Sequence, residues 1–387
     1  MPRQNPNKRV LVMHRGGLGG VRGTEVCIAQ SIEALHRRGF EVIFARNLPV
    51  IDELVAPFVS KIIPFEFSEI LINGIKSKIP LKTYLQGLRK LLREARSLKP
   101  SLFYASGGLP CQLCIPAGKI LGIPTLCHLH HPASRKYYRS WLVEHANECI
   151  FPSDFTQSDV QSKTKVTGKV VYNGVDIDRF QPTARDESIR DDLGIAKDKI
   201  VMGQVGHLNS NKRPLFLLSA LKDALQKNPR LHLCLVGKGP LEAELHRAVK
   251  EAGLENAVTI TGYVDDVLPF YQHVFDINAL ASSEEGLGIS ILEGAACGLP
   301  SVIANNTGLK ETTIHEKTGL VFDTDNQSEL VDALLTLASN KELRSTFGTE
   351  GRSLVNKQFS KKNYANRVID IAEQLIQKDS SQTRPNP

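Results

Sequence analysis

The sequence predicts an α/β chain built from two doubly wound parallel sheets. Three observations carry that prediction. Short apolar runs alternate with stretches of helical periodicity along nearly all of the 387 residues. Several of those runs end in glycine-containing loops that lead straight into the next helical stretch. The length also exceeds what one core usually holds, so two domains are expected.

The elements follow in order. Arg9 to His14 is a short apolar strand that ends in Arg15-Gly16-Gly17-Leu18-Gly19-Gly20. Thr24 to His36 is helical, with Val26, Ile28, Ala29, Ile32 and Leu35 on one side and Gly39 as the stop. Glu41 to Ala45 returns as a strand, and strand, loop, helix, strand points to a parallel sheet. Leu81 to Leu98, Pro110 to Leu121 and Ser134 to Ala146 are predicted helices, interleaved with strands at Ser101 to Ala105, Thr125 to His130, Glu148 to Phe151 and Lys169 to Tyr172. A second series then begins. Its predicted strands are Ile200 to Val205, Leu231 to Val236, Val258 to Thr261, Phe275 to Leu280 and Ser301 to Ala304. Its predicted helices are Pro214 to Lys227, Leu241 to Ala252, Val267 to His273, Gly288 to Ala296 and Ser328 to Ala338. The expected domains are residues 1–170 and 171–378, with the last helix a candidate to pack back on the first domain and a disordered tail over 379–387. Ligands of such sheets bind at the carboxyl ends of the strands, in the cleft that the two domains are expected to face.

Composition bounds the function. Apolar content of 41% and charged content of 23% are ordinary for a globular protein. No apolar run is long enough to span a bilayer, and Met1 to Lys8 lacks a signal-peptide core, so a cytoplasmic location is expected. Seven scattered cysteines fit free thiols. Residues 1–170 hold 24 Lys+Arg against 12 Asp+Glu, while the remainder holds 24 against 29. The basic first half is expected to meet an anionic partner such as a membrane surface or a lipid-linked acceptor. A nucleic acid is not expected, because no binding motif accompanies the charge. The stretch from Lys76 to Lys99 concentrates it, with Tyr84, Leu85, Leu88, Leu91, Leu92, Ala95 and Leu98 at helical spacing and a basic opposite face.

The most telling stretch is Ser283 to Gly294, where Glu285, Gly286, Leu287 and Gly288 precede a helix that carries Glu293. A strand that enters a helix through a glycine turn builds an anion site from free backbone N–H groups and the positive helix end. A carboxylate on each side suits a ligand carrying both phosphate and hydroxyls, as a nucleotide sugar does. Taken singly, Glu285 also serves as a dipole-stabilising acid and Glu293 as a solvated helix residue. Gly206 and His207 end another strand, and Lys212 and Arg213 follow at the next helix entry, where cations suit a diphosphate. The loop Gly16 to Gly20 departs from the dinucleotide fingerprint and reads equally as a tight turn or a ligand-approach loop. In Cys127-His128-Leu129-His130-His131, zinc with Cys111 and Cys114 as further ligands is conceivable, but core thiols and structural histidines account for the same residues. No metal site is therefore expected.

Together these features resemble family 4 of the retaining glycosyltransferases. The residues that carry the resemblance are Asn173-Gly174-Val175-Asp176, Lys212 after a glycine-ended strand, Glu285 to Glu293, and Gly298-Leu-Pro-Ser-Val-Ile-Ala. Gly262-Tyr263-Val264 and Glu316 to Val321 fit as well. The match spans nearly the whole chain, most specifically 262–322. The resemblance implies the GT-B architecture, two Rossmann-like domains facing a central cleft, and a retaining transfer that needs no metal or other cofactor. It implies UDP- or GDP-sugar as donor and a lipid-linked or cell-surface glycan precursor as acceptor. It assigns Gly19 and Gly20 to the donor phosphates, His130 to the transferred sugar, Lys212 to the diphosphate, Glu285 to the sugar and Glu293 to the ribose. Gly286, Leu287, Gly288 and Ile289 would offer backbone amides, and Val264 would lie near the base. The family usually carries arginine where this chain has His207, which cannot make a forked contact, and Arg213 is the expected compensation. A sugar-nucleotide epimerase and a catalytically silent nucleotide-sugar-binding scaffold are the alternatives.

Overall fold

The computed structural model describes residues 8–17, 20–68, 70 and 80–382. The chain divides into two compact units, one made of the residues up to Gly174 together with those from Lys361 on, the other of Val175–Ser360.

The first unit carries a seven-stranded sheet: β1 (Arg9–His14), β2 (Glu41–Arg46), β3 (Lys61–Pro64), β4 (Leu102–Ser106), β5 (Thr125–His128), β6 (Glu148–Phe151) and β7 (Lys169–Val170). The order is β3-β2-β1-β4-β5-β6-β7, and every pair is parallel. Both faces are covered, so its strands are apolar on both sides. On one face Leu11, Met13, Ile43, Phe103, Cys127 and Phe151 pack with Leu91, Ala95, Cys111 and Cys114. On the other, Val10, Val12, Phe44, Tyr104, Leu126 and Ile150 meet the helix Gly23–Arg37 and the helix Lys361–Gln382. Tyr364, Val368, Ile371 and Leu375 recur at helical spacing along that last helix and form its buried stripe.

The second unit carries a six-stranded parallel sheet: β8 (Ile200–Val205), β9 (Leu231–Val236), β10 (Val258–Ile260), β11 (Ile277–Leu280), β12 (Ser301–Ala304) and β13 (Gly319–Phe322). Its order is β10-β9-β8-β11-β12-β13. The order reverses between β8 and β11, the point where ligands of such sheets bind. Gly203 on β8 leaves room for Phe275, whose ring would lie 2.3 Å from a Cβ there.

Several elements differ from expectation. The strands β3 and β13 were not foreseen: β3 is a short edge strand ending in proline, and β13 follows a turn rather than a helix. Helices Asp154–Lys163 and Lys341–Gln358 are additional. The expected helix over 134–146 breaks into Arg135–Ser140 and a 3₁₀ turn, because Leu142 takes a φ of 59°. The segment expected at Val267 to His273 is a single π-helical stretch, Phe270–Val274. The last helix runs to Gln382, into the segment expected to be disordered, and 383–387 lie outside the described residues.

Candidate active site

The second unit brings Lys212 and Glu285 together. Lys212 Nζ lies 2.5 Å from Glu285 Oε1, and both side chains are largely buried. Backbone geometry sets this up. Gly206 ends the β8 segment with a φ of 148°, and a Cβ there would lie 3.4 Å from Lys212 Cε. Asn209 Oδ1 accepts from Lys212 N at 3.0 Å, and Gln204 donates to Lys212 O at 3.0 Å, so the loop after β8 is held at both sides of the lysine. Asn211 stitches this loop to the one after β11: it donates to Glu284 O at 2.9 Å and accepts from Glu284 N at 3.0 Å. Glu285 itself is pinned through its backbone, with its N–H donating to Thr307 Oγ1 at 2.8 Å and its carbonyl accepting from Gly308 N at 3.1 Å.

The glycine turn then opens the helix Ile289–Ala296. Gly288 has a φ of 99°, a conformation that strains any other residue, and a Cβ would lie 2.7 Å from Leu309 Cδ1. Gly286 and Leu287 are buried in this turn, and Ile289 begins the helix half-buried. One turn further on, Glu293 Oε2 accepts from Tyr271 Oη at 3.1 Å. Burial pushes the Glu293 carboxyl up to about 7, helped by Asp266 and opposed by Tyr271 and Arg179. Close packing of the next residue keeps it in place, since a Cβ on Gly294 would lie 2.2 Å from Asn278 Nδ2.

The other predicted residues fall as follows. His207 is half-buried just past β8. Arg213 is the residue before the helix Pro214–Leu225 and is committed elsewhere: it donates to Thr324 O, pairs with Asp325 at 2.9 Å and stacks over Phe216. Val264 is half-buried just beyond Gly262, whose carbonyl accepts from Gly237 N at 2.9 Å. Next to it, Tyr263 is exposed and Lys238 Nζ lies 5.3 Å from its ring.

In the first unit His130 is buried past the end of β5, where Ser106 Oγ lies 2.9 Å from its Nε2 and 3.0 Å from His14 Nδ1. The rings of His128 and His130 stand 4.0 Å apart, while His131 is exposed. Gly20 has a φ of 80°, and Gly19 lies outside the described residues. Glu25, which the sequence reading passed over, is buried beside His14 and caps its own helix through the N–H of Arg22. Burial raises the Glu25 carboxyl, but His14 and the backbone N–H groups of Glu25 and Gly17 together hold it below the usual range. Asn209, Asn211, Thr307 and Tyr271 were likewise missed. Asn and Thr in strand-end loops are a weak cue, and each acts here by fixing a neighbour.

Comparison with known proteins places this two-domain α/β chain among the transferases. The family model described as "Glycosyl transferases group 1" matches residues 185–354, and that described as "Glycosyltransferase Family 4" matches 21–179. A GDP-mannose-dependent alpha-(1-6)-phosphatidylinositol monomannoside mannosyltransferase of Mycobacterium tuberculosis is 30% identical over 287 residues, covering 68% of this chain and 73% of that protein. A D-inositol 3-phosphate glycosyltransferase of Corynebacterium jeikeium is 31% identical over 258 residues, 63% of this chain and 61% of that one. Among solved structures, Anabaena HepE in complex with UDP and glucose superposes with a TM-score of 0.82 at 21% identity, covering 95% of this chain and 100% of that one. The chain belongs to glycosyltransferase family 4, with the GT-B architecture, and is a glycosyltransferase.

Proposed function

We propose that this glycosyltransferase moves a sugar from a nucleoside-diphosphate sugar to an acceptor hydroxyl with retention of configuration, using the second unit as its donor site. The observation that carries the reading is the Lys212–Glu285 pair at 2.5 Å beside the Gly286 to Ile289 turn, with Glu293 one helical turn away. As the glycosidic bond to the diphosphate breaks, negative charge grows on the leaving phosphate and positive charge on the anomeric carbon. Lys212 and the N–H groups of the turn are preorganised for the first, and Glu285 positions the sugar. Without donor, Glu285 compensates the lysine; with donor, the diphosphate takes over that role. Glu293 suits the ribose hydroxyls, Val264 lies on the loop proposed for the base, and His207 takes a weaker part in phosphate binding than an arginine would. His130, and Gly19 with Gly20, are the proposed first-unit contacts to sugar and phosphate. On this reading the protein's own cations carry the leaving-group charge, with no metal cofactor.

The mannosyltransferase relative acts on a phosphatidylinositol mannoside by its name, which supports a lipid-linked acceptor and GDP- as well as UDP-sugars as donors to test. The helix Leu81–Leu98 supports a membrane-surface location: Lys82, Arg89, Arg93 and Arg96 are exposed beside exposed Leu81 and Leu85. Lys76 and Lys78, expected to add to that face, lie outside the described residues. No helix among the described residues is long and apolar enough to cross a membrane. Both family models describe glycosyl transferases, which favours transfer over the epimerase alternative.

Incubation with UDP-, GDP-, ADP- and TDP-sugars and a cell-envelope extract tests the proposal. Acceptor-dependent release of nucleoside diphosphate, with an anomeric signal matching the donor's, is expected; Lys212→Ala and Glu285→Ala should each lose most turnover while remaining folded. Isomerised donor without transfer would make the protein an epimerase, and binding without turnover a scaffold. Preferential sedimentation with anionic over neutral vesicles at low salt tests the membrane location, and equal binding would remove it.

A further inference from the structure

A chain of polar side chains in the first unit ends on His130. His14 closes β1, Ser106 closes β4 and His130 follows β5, while Glu25 sits in the first turn of the helix Gly23–Arg37. Strand register puts His14 opposite Ser106 and Ser106 opposite His128, so the carboxyl ends of three neighbouring strands meet here. Glu25, His14, Ser106 and His130 are all buried. Ser106 Oγ stands between two imidazoles, 3.0 Å from His14 Nδ1 and 2.9 Å from His130 Nε2. On the far side of the first ring, Glu25 Oε1 lies 3.6 Å from His14 Nε2, beyond hydrogen-bond length but near enough for its charge to act on that nitrogen. At the other end of the chain, His130 Nδ1 is buried with no hydrogen-bond partner among the described residues. The His128 ring, 4.0 Å from that of His130 and itself held at Nδ1 by Tyr104 Oη at 2.9 Å, braces the end of the chain.

A hydroxyl between two ring nitrogens has one proton to give. It donates to one ring and accepts from the other, so the two nitrogens that face it carry opposite states. The Glu25 carboxyl decides which is which. Burial raises its pKa, but His14 and backbone N–H groups hold it below the usual range, so it is a carboxylate at neutral pH. A carboxylate draws the proton of an adjacent imidazole to the nearer nitrogen. His14 then carries its N–H at Nε2 and a lone pair at Nδ1. Ser106 donates to that lone pair and accepts from the N–H at His130 Nε2. Burial, with His128, His131 and His14 adding to it, lowers the His130 pKa well below the usual imidazole range, so that ring holds a single proton. Its Nδ1 is left as a lone pair.

We propose that Glu25, His14 and Ser106 are positioning residues that fix His130 in its Nε2–H tautomer and so present Nδ1 as a hydrogen-bond acceptor to a hydroxyl of the transferred sugar. The sugar contact rests on the proposed donor reading; the tautomer does not. An acceptor nitrogen takes the proton of a hydroxyl and has nothing to offer a carboxylate oxygen, so this position selects a hydroxyl-bearing sugar over a uronic acid at the same place. No proton is transferred along the chain, which acts by orientation alone. A nucleoside diphosphate without its sugar does not reach Nδ1, and its binding is indifferent to the chain.

The test uses the full protein labelled with ¹⁵N-histidine, with His130 assigned by difference from His130→Gln. Long-range ¹H–¹⁵N correlation separates protonated from bare ring nitrogens. At neutral pH the wild type should show His130 protonated at Nε2 and bare at Nδ1. In Ser106→Ala and in Glu25→Gln the two His130 nitrogen shifts should move toward each other as the tautomers mix. Donor turnover should fall about tenfold in Ser106→Ala, while affinity for whichever of UDP, GDP, ADP and TDP the wild type binds stays within about twofold. A wild type with the proton on His130 Nδ1 overturns the proposal, as does an unchanged His130 pattern in folded Ser106→Ala. If Ser106→Ala does not fold, Glu25→Gln decides by the same spectrum. An equal loss of nucleoside-diphosphate affinity in Ser106→Ala would make Ser106 a structural support and overturn its positioning role. A wild type with the expected tautomer that binds no nucleoside diphosphate overturns the donor reading and, with it, the sugar contact.

Discussion

Glu293→Gln should stabilise the protein at alkaline pH while damaging its donor site. Burial raises the Glu293 carboxyl from 4.5 to about 7. A raised carboxyl pKa means that the folded chain holds the proton more tightly than the unfolded chain does. Below about pH 4.5 both states are protonated and the residue costs nothing. As pH rises toward 7 the unfolded chain ionises first, and folding stability falls. Above about pH 8 the full cost is present, about 3 kcal/mol at about 1.4 kcal/mol per pH unit. Glutamine keeps the shape, accepts the same bond from Tyr271 and carries no charge. Urea unfolding of wild type and Glu293→Gln should therefore coincide near pH 4.5 and separate at about pH 8.5, with the variant more stable by up to about 3 kcal/mol. The same variant should bind nucleoside diphosphate more weakly. Equal offsets at the two pH values, or a variant less stable at alkaline pH, would refute the account of Glu293 as a carboxylate desolvated for function.

Three further substitutions probe the neighbourhood. Tyr271→Phe removes the hydroxyl that lowers the Glu293 pKa, so the carboxyl should titrate above about 7 in a ¹³C-detected titration; an unchanged value would show that the bond is unimportant. Gly294→Ala drives a Cβ against Asn278 Nδ2, which donates to Ser290 O at 2.8 Å, and should cost about 2–4 kcal/mol in chemical denaturation. Thr307→Val removes the acceptor of the Glu285 N–H and should cost about 1 kcal/mol of stability, with a proportionally larger loss in kcat than in KM.

Much of this was legible because the physics is local. The run Ile200–Val205 and the helix at Leu81–Leu98 stand where periodicity placed them, and the glycine turn before Ile289 announced itself by composition. The short edge strand Lys61–Pro64 was not legible, since four residues ending in proline carry almost no pattern. Distance in sequence hid the rest. The cysteine beside His128 and His130 is Cys27, which a helix across the sheet face supplies, whereas Cys111 and Cys114, nearer in sequence, point to the other face. Arg213 adjoins Lys212 in sequence yet bonds to Thr324 and Asp325, partners more than a hundred residues away that no local spacing reveals. The supports of Glu285, Asn211 and Thr307, come from loops after two other strands, and only the parallel topology gathers them.

The most direct measurement is calorimetric titration of the full chain with UDP, GDP, ADP and TDP, repeated on Lys212→Ala and Glu293→Gln. The account predicts saturable binding of at least one of these nucleotides to the wild type and a loss of about tenfold or more in each folded variant, as expected for a lost charge-assisted contact. Binding of none of them, or the same affinity in wild type and both variants, would contradict a donor site built on Lys212, Glu285 and Glu293.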